Sequence, residues 1–189
     1  RKLPGQDGLT LAQLSGNFLR LRFADHTMKW ERHTEFTRYS IVQGLPDGAL
    51  QGQDEAELIR QLTVDVAWLA ATPGRTVAAI MMAMVDGEVD DPEAMRRQAD
   101  AWFEGRVTLA SWLGIRRSCV MTDFRLRDSG FERLLVISPP GTTEPRAGRI
   151  SQRLLELETY RLMALRGLPV AKELGPMLAA AESGLADIT

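Results

Sequence analysis

The sequence predicts an α+β fold, in which a mainly antiparallel sheet packs with helices and a long helical arm follows at the C-terminus. Segments with the alternation or the β-branched content of strands fill the middle of the chain. Short connections join these strands, which favours antiparallel pairing. The last third instead has the spacing of apolar side chains that is typical of an amphipathic helix. Strands grouped in this way, and followed by helices, indicate α+β rather than α/β architecture.

The first half of the chain contains the earlier strands and one helix. Apolar and arginine side chains alternate over residues 17–23, as in a half-buried strand. Residues 27–42 are rich in β-branched and aromatic side chains and form either one long strand or two in succession. A helix capped by Asp54 follows. Residues 76–85 are apolar on both faces and are expected to form a central strand, although their periodicity alone also allows a helix.

The second half opens with a clear helix start. Asp91 followed by Pro92 supplies a capping carboxylate and a proline in the first turn, and Gly105 ends the helix. Its expected buried stripe consists of Met95, Ala99, Trp102 and Phe103. Strands are then predicted over 107–113, 118–127 and 131–138, the last two joined by a hairpin turn at Asp128, Ser129 and Gly130.

The C-terminal region contains the best amphipathic helix of the chain, over residues 146–166. Gly167 and Pro169 predict a kink or break, after which a looser helical pattern resumes. We therefore divide the chain into a sheet-rich domain, residues 1–145, and a helical arm, residues 146–189. The arm is expected to pack on the domain as part of one structural unit.

Composition excludes several classes of protein. Apolar residues make up 44% and charged residues 25%, the balance of a globular protein. The net charge of −2 gives no positive field for nucleic acid. Residues 76–85 are about half as long as the roughly 20 residues of a membrane helix.

Because the chain starts without methionine and ends within a helical pattern, we expect a fragment, cut at both ends.

Motifs for catalysis or for cofactor binding are absent from the sequence. There is no glycine-rich nucleotide loop, no nucleophile elbow and no zinc-protease motif. The soft metal ligands are limited to His26, His33 and Cys119, and no pair has ligand spacing. We therefore predict no catalytic residue, no metal site and no cofactor. Cys119 lies in an apolar strand, where cysteine usually serves as a small hydrophobic side chain.

Seven polar side chains make up a candidate polar cluster, a name that we keep for this set: Arg32, His33, Glu35, Asp123, Arg125, Glu158 and Arg161. Glu158 and Arg161 are three residues apart on a helix, where they can pair. His33, with carboxylates nearby in sequence, could act as a general base. The alternative is that these charges belong to a solvated sheet face with cross-strand pairs and to the wet face of an amphipathic helix.

Four blocks in order carry a resemblance to a known family: WERHTEF at 30–36, WLAATPG at 68–74, TDFRL at 122–126 and QRLLELETYRLMAL at 152–165. The chain resembles the bacterial family catalogued as domain of unknown function 3422, whose members are often described as membrane-anchored. The resemblance implies a longer protein, with a coiled-coil-like region after Thr189 and a C-terminal hydrophobic anchor. It assigns no catalytic residues.

Three hypotheses follow. The first is a non-catalytic scaffold or protein-binding module, the soluble head of a membrane-anchored protein. The second is a hydrolase or small-ligand-binding enzyme with a polar site on the sheet face. The third is oligomerisation through Ile150, Leu154, Leu157 and the tail after Gly167, which an exposed apolar stripe would support. The expected partner is a protein or a second copy of the chain, bound through the C-terminal helices. Nucleic acid is not expected, and the membrane only through family segments absent from this chain.

Overall fold

The computed structural model describes residues 16–50, 55–63, 66–72, 74–106, 108–114 and 117–186. The chain divides into two compact units, with the boundary after residue 73. This boundary does not coincide with the division at residue 145 that the sequence suggested. The C-terminal helix belongs to the second unit, together with a four-stranded sheet.

The first unit contains a three-stranded antiparallel sheet and two short helices. Its elements are β1 Phe18–Arg22, β2 His26–Arg32, β3 Thr37–Gln43, α1 Glu55–Arg60 and α2 Val66–Ala71, with sheet order β1-β2-β3. Residues 27–42 thus form two strands around a turn. The single helix predicted from Asp54 is two short helices, and Asp54 itself lies outside the described residues. The Gln43 side chain ties β3 to the end of α1, since its Nε2 donates to the Gln61 carbonyl over 3.1 Å and its Oε1 accepts from the Thr63 backbone N–H over 2.8 Å.

The second unit contains a mixed four-stranded sheet. Its strands are β4 Ile80–Asp86, β5 Leu109–Leu113, β6 Ser118–Thr122 and β7 Glu132–Ser138, and its helices are α3 Pro92–Phe103 and α4 Glu144–Ala186. The sheet order is β4-β7-β6-β5, with β4 parallel to β7 and the other pairs antiparallel. All seven residues of β7 are buried. The α+β fold is confirmed. The prediction of a central strand at 76–85 is wrong, because β4 lies at one end of the strand order. The strand that is covered on both faces is β7.

The start and the buried face of α3 are as predicted. The Asp91 side chain accepts hydrogen bonds from the backbone N–H groups of Glu93 and Ala94, both 3.0 Å long. The buried residues of α3 are Met95, Ala99, Trp102 and Phe103. The helix ends at Glu104, which has a left-handed φ of 58°.

The connection between β6 and β7 is longer than the predicted three-residue hairpin turn, since it covers residues 123–131. The predicted strand 118–127 ends at Thr122, because Phe124 adopts a φ of 50° and cannot continue it. Gly130, with a φ of 84°, does lie in the predicted turn, and the Arg127 N–H donates to the Phe131 carbonyl over 2.9 Å to close it.

Helix α4 runs for 43 residues and contains Pro169 and Pro176 in its interior. Of the kink or break predicted at residues 167–169, the break is therefore wrong. A proline removes one backbone hydrogen bond and bends a helix, but it need not end it. The first half of α4 packs on the sheet and buries Glu158 and Thr159, whereas every described residue from Ala164 onward is exposed. None of the helices in the described ranges has the length and hydropathy needed to cross a bilayer.

Candidate functional site

Three members of the candidate polar cluster lie in the first unit, at the turn between β2 and β3. Arg32 ends β2, and both Arg32 and Glu35 are exposed. The His33 ring stacks on the Phe36 ring with centroids 4.4 Å apart. The backbone N–H of His33 donates to the backbone carbonyl of Phe36 over 2.8 Å. His33 therefore has a clear role in closing this turn.

Asp123 and Arg125 lie in the second unit, just after β6, and have different surroundings. The Asp123 side chain has no exposed surface, and its Oδ2 accepts from Arg127 Nη2 over 3.0 Å. Its Oδ1 accepts only the backbone N–H of Arg125, 3.2 Å away. The Arg125 side chain is exposed. The buried partner of Asp123 is thus Arg127, which sequence reasoning did not single out.

Arg127 belongs to a charge network at the C-terminal end of α3. The Glu104 carboxylate is 3.5 Å from Arg127 Nη1 and 3.3 Å from Arg133 Nη1. Arg133 Nη1 also donates to the Trp102 carbonyl over 2.9 Å. The two arginine side chains are only 3% and 1% exposed. Cations are stabilised at a helix C-terminus, so the two arginines stabilise the C-terminal end of α3. The Glu104 carboxylate in turn compensates part of their buried charge.

Glu158 and Arg161, the last two members of the cluster, meet the carboxylate of Glu132. Arg161 Nη2 lies 3.0 Å from both oxygens of Glu132, and Arg161 Nε donates to Glu158 Oε1 over 2.7 Å. Arg161 Nη2 also contacts Glu158 Oε1. Both carboxylate side chains are only 7% exposed. One arginine on α4 therefore bridges two buried carboxyl groups, one on β7 and one on its own helix.

The two carboxyl groups have pKa values displaced in opposite directions. Burial, with the hydrogen bond and charge of Glu158, raises the pKa of Glu132 to about 7. Burial would also raise the pKa of Glu158, but hydrogen bonds from Arg161 and Glu132 hold it below its usual value. The Glu158 hydrogen bond raises the pKa of Arg161 further, so this side chain stays charged. Above the lowered pKa of Glu158 and below about pH 7, the pair therefore holds one proton, which lies on Glu132.

The loop after β6 covers this arrangement. The guanidinium of Arg161 lies 4.6 Å from the centroid of the Phe124 ring. The Phe124 N–H donates to Thr122 Oγ1 over 3.1 Å, and this hydroxyl donates to the Arg133 carbonyl over 3.1 Å. These bonds hold the left-handed Phe124 in place, and its ring makes a cation–π contact with the half-buried Arg161.

Glu132 is the site residue that sequence reasoning missed. It begins a strand whose remaining residues are mostly apolar, so the pattern indicated a core strand and not a charged group. The sequence did contain one signal for Glu132: a charged side chain in a strand that is covered on both faces needs a partner for its charge.

A groove of about 450 Å³ lies elsewhere in the second unit, between α3 and the β5–β6 side of the sheet. It is lined by Met95, Ala99, Ala110 and Met121 and by the charged residues Arg96, Asp100 and Arg106. No member of the candidate polar cluster lines it. Within the described part of the chain, no three histidine, cysteine or carboxylate side chains are grouped as a metal site would require.

Helix α4 has many exposed large apolar side chains. Large side chains along its second half are mostly or nearly half exposed, among them Leu165 at 48%, Leu174 at 46% and Leu178 at 64%. Leu157 in the first half is 68% exposed, although the sequence placed it on the same face as Ile150 and Leu154. Glu158, which the sequence also allowed on the solvent-exposed face of the helix, is buried. The face of α4 that packs on the sheet therefore differs from the apolar face that is exposed.

Comparison with known protein families gives a match over the whole chain. The model of a family described as a protein of unknown function, DUF3422, matches residues 1–189. No curated protein matches the chain, and neither does any solved structure.

Proposed function

The chain belongs to the DUF3422 family, whose description assigns no function, and we propose that it is a non-catalytic scaffold or protein-binding module. Its contact surface is the exposed apolar face of α4. The observation that carries this proposal is the exposure of every described residue from Ala164 to Ala186, with large apolar side chains among them. Contiguous exposed apolar surface of this kind marks sites of protein contact.

The composition of this helical segment supports the same conclusion. Residues 167–186 contain two prolines and three glycines but only three charged side chains, Lys172, Glu173 and Glu182. Relative to alanine, an interior proline costs about 3 kcal/mol and a glycine about 1 kcal/mol of helix stability. Most helices in proteins owe their stability to packing rather than to propensity. A segment with these residues needs an apolar partner to remain helical, which supports contact along α4.

Site-directed photo-crosslinking of the full-length protein in its own cells tests this proposal. A benzophenone amino acid replaces Leu178 in one variant and the neighbouring Ala179, on a different face, in the control. The proposal predicts a discrete crosslinked protein species from position 178 and at most a trace from 179. Equal yields at the two positions would contradict contact through this face.

We further propose that the full-length protein is attached to a membrane by segments outside this chain, which makes the chain the head of an anchored protein. The resemblance to a family often described as membrane-anchored supports this. The expected result is that the full-length protein sediments with membranes and is released by detergent but not by high salt. Release by salt alone, or recovery in the soluble fraction, would contradict it.

A second candidate function is a hydrolase or small-ligand-binding enzyme that uses Glu132, Glu158 and Arg161. The observation that favours it is the displaced pKa values of two adjacent carboxyl groups, an arrangement that supplies acid and base roles in enzymes. A thermal-shift screen against nucleotides, metals and metabolites tests it. A concentration-dependent rise in Tm that Glu132→Gln abolishes and the exposed control Glu93→Gln preserves would favour this second candidate. A flat screen would contradict it.

A further inference from the structure

The exposed apolar face of α4 has the periodicity of a coiled coil. Nine positions recur with alternating spacings of three and four residues and define the α4 seam: Leu157, Tyr160, Ala164, Gly167, Ala171, Leu174, Leu178, Ala181 and Leu185. Every one of these residues is exposed. The seam extends for roughly 42 Å at 1.5 Å per residue. A strict heptad pattern over four heptads is the pattern of helices that supercoil around one another.

We infer that a second copy of this chain covers the α4 seam, in an antiparallel two-helix coiled coil. This inference rests on the proposed function, because it names the partner of the same surface. Three features of α4 support it: the position of the prolines, the volumes of the seam residues and the charges beside the seam.

The two prolines of α4 lie away from the seam. Pro169 and Pro176 are seven residues apart, so both take the same heptad position. That position is f, the one most distant from the a and d positions of the seam. The half-buried Leu162, one heptad earlier, has the same position and belongs to the half of α4 that packs on the sheet. Proline rings on this side leave the seam unobstructed, and the heptad pattern continues past both of them.

The volumes of the seam residues fit an antiparallel partner. In that orientation an a residue faces a d residue, so Gly167 meets Leu178 of the second copy and Ala171 meets its Leu174. In these central layers each small residue faces a large one, as close packing requires, whereas Ala164 faces Ala181 in the next layer. In a parallel pair, identical residues would face each other, and three consecutive layers would contain only Ala164, Gly167 and Ala171. Such layers would leave voids, each of which lowers stability.

The charges beside the seam agree with the same register. Arg161 and Glu182 both take position e, and residues at e face each other across an antiparallel pair. Arg161 then faces Glu182 of the second copy, twice by symmetry, as an isologous interface requires. The Arg161 side chain keeps 31% of its surface exposed beside its contacts with Glu132 and Glu158. The other positions e and g from 163 to 184 carry no charge, so no like charges oppose each other.

Sedimentation equilibrium of the purified chain provides the first test. The wild type is expected to be a concentration-dependent dimer. Leu178→Asp, which places two charges in the buried seam, should weaken the dimer roughly 100-fold or more. The control Ala179→Asp adds the same charge at an exposed position outside the seam and should leave the dimer unchanged. A monomeric wild type, or equal dimerisation of the two variants, would overturn the inference. Circular dichroism confirms that each variant is folded.

Disulfide trapping tests the orientation. Gly167→Cys and Leu178→Cys are prepared as separate chains, and a side chain at 167 is sterically allowed, because no atom lies within 4 Å of the added Cβ. Native Cys119 is only 2% exposed, and the parent chain shows whether it reacts. Antiparallel pairing predicts covalent dimers only when the two chains are mixed. Covalent dimers from each chain alone would show parallel pairing and overturn the inference.

The results for the proposed function and for this inference can be told apart. A crosslinked species from position 178 that contains a different protein, together with a monomeric purified chain, would overturn self-association and leave the protein-binding proposal in place. Equal crosslinking at 178 and 179 would overturn the proposed function itself.

Discussion

Glu132 and Glu158 show how burial and a shared cation separate two identical side chains. Both are buried and both contact Arg161, but only Glu132 has a pKa raised to about 7. Arg161 is held more closely by Glu158, to which it donates from Nε and Nη2. Stabilisation of the charged form therefore goes mainly to Glu158, and the neighbouring negative charge keeps the proton on Glu132.

This difference predicts that stability depends on pH through Glu132. Its folded-state pKa of about 7 lies above the usual 4.5, so the folded chain holds a proton that the unfolded chain has released between these values. The contribution of Glu132 to the free energy of unfolding is fully present below about pH 4.5 and is lost as the pH rises through about 7. The total loss is roughly 3 kcal/mol. Urea denaturation of wild type and Glu132→Gln between pH 5 and 8 measures it.

The Glu132→Gln variant cannot ionise at this position, so it should be less sensitive to rising pH and should gain stability relative to wild type toward pH 8. The titration of Glu158 does not overlap with this pH range, because its pKa is lowered and its contribution to stability is lost only at acidic pH. Glu93→Gln, at a side chain that is 91% exposed, serves as the control and should follow the wild type. An unchanged pH dependence in Glu132→Gln would refute the assignment.

Glu104 is a second residue whose role is visible only in the structure. It ends α3 with a left-handed φ of 58°, a position that usually favours glycine. Its carboxylate, however, pairs with Arg106, Arg127 and Arg133. The pairing offsets the strain of a side chain in this conformation, which is of the order of 1 kcal/mol.

Glu104→Gly is therefore expected to destabilise the protein, although glycine fits the backbone better. The loss of the carboxylate leaves two buried guanidinium groups with less compensating charge, and we expect a decrease of about 1–3 kcal/mol in the free energy of unfolding. Thermal and urea denaturation measure the change. A glycine variant more stable than the wild type would show that backbone strain dominates at this position.

At the scale of the elements, replacement of glycine by alanine is expected to change the free energy of unfolding in opposite directions at two positions. A Cβ added to Gly87, just after β4, would lie 2.8 Å from Ile137 Cγ2, so Gly87→Ala should cost about 1–3 kcal/mol. Gly148 lies in the first turns of α4 with no atom within 4 Å of an added Cβ. Gly148→Ala should stabilise the protein by about 0.5–1 kcal/mol. Denaturant unfolding of both variants measures the pair, and a common sign would contradict this packing.

Elements with strong local signals could be predicted from the sequence, whereas those that depend on distant contacts could not. Asp91 and Pro92 determine where α3 starts, and Gly130 marks the turn before β7, because both act through neighbouring residues. The position of β4 beside β7 follows from a pairing between segments about fifty residues apart in the sequence. Gly167 and Pro169 indicated a kink or break because glycine and proline disfavour helices locally. The common heptad position of the two prolines, away from the seam, was the feature that the sequence analysis did not use.

The candidate polar cluster shows the same limit. Glu158 and Arg161 could be paired from their spacing, since neighbours on one helix are set by its geometry. Glu132 could not be added to them, because only the tertiary packing of α4 brings it into contact. Asp123 was placed in the same cluster as Glu158 and Arg161, but its buried partner is Arg127 in its own loop.

At the scale of the whole molecule, the two halves of α4 have different surroundings. The first half of α4 completes the second unit by packing on the sheet, and the second half is exposed. In the described residues, Glu158 and Thr159 mark the buried face, whereas the α4 seam turns away from it. This division supports the proposal that the second unit presents α4 for contact with another protein chain.

Hydrogen exchange along α4, read by mass spectrometry, tests this account most directly. A helix with exposed prolines and glycines and no partner should exchange quickly over residues 164–186. The account predicts that this segment becomes protected as the protein concentration rises, and that Leu178→Asp removes the protection while Ala179→Asp does not. Rapid exchange of this segment at every concentration, or protection that both variants retain, would contradict the claim that α4 is the contact surface.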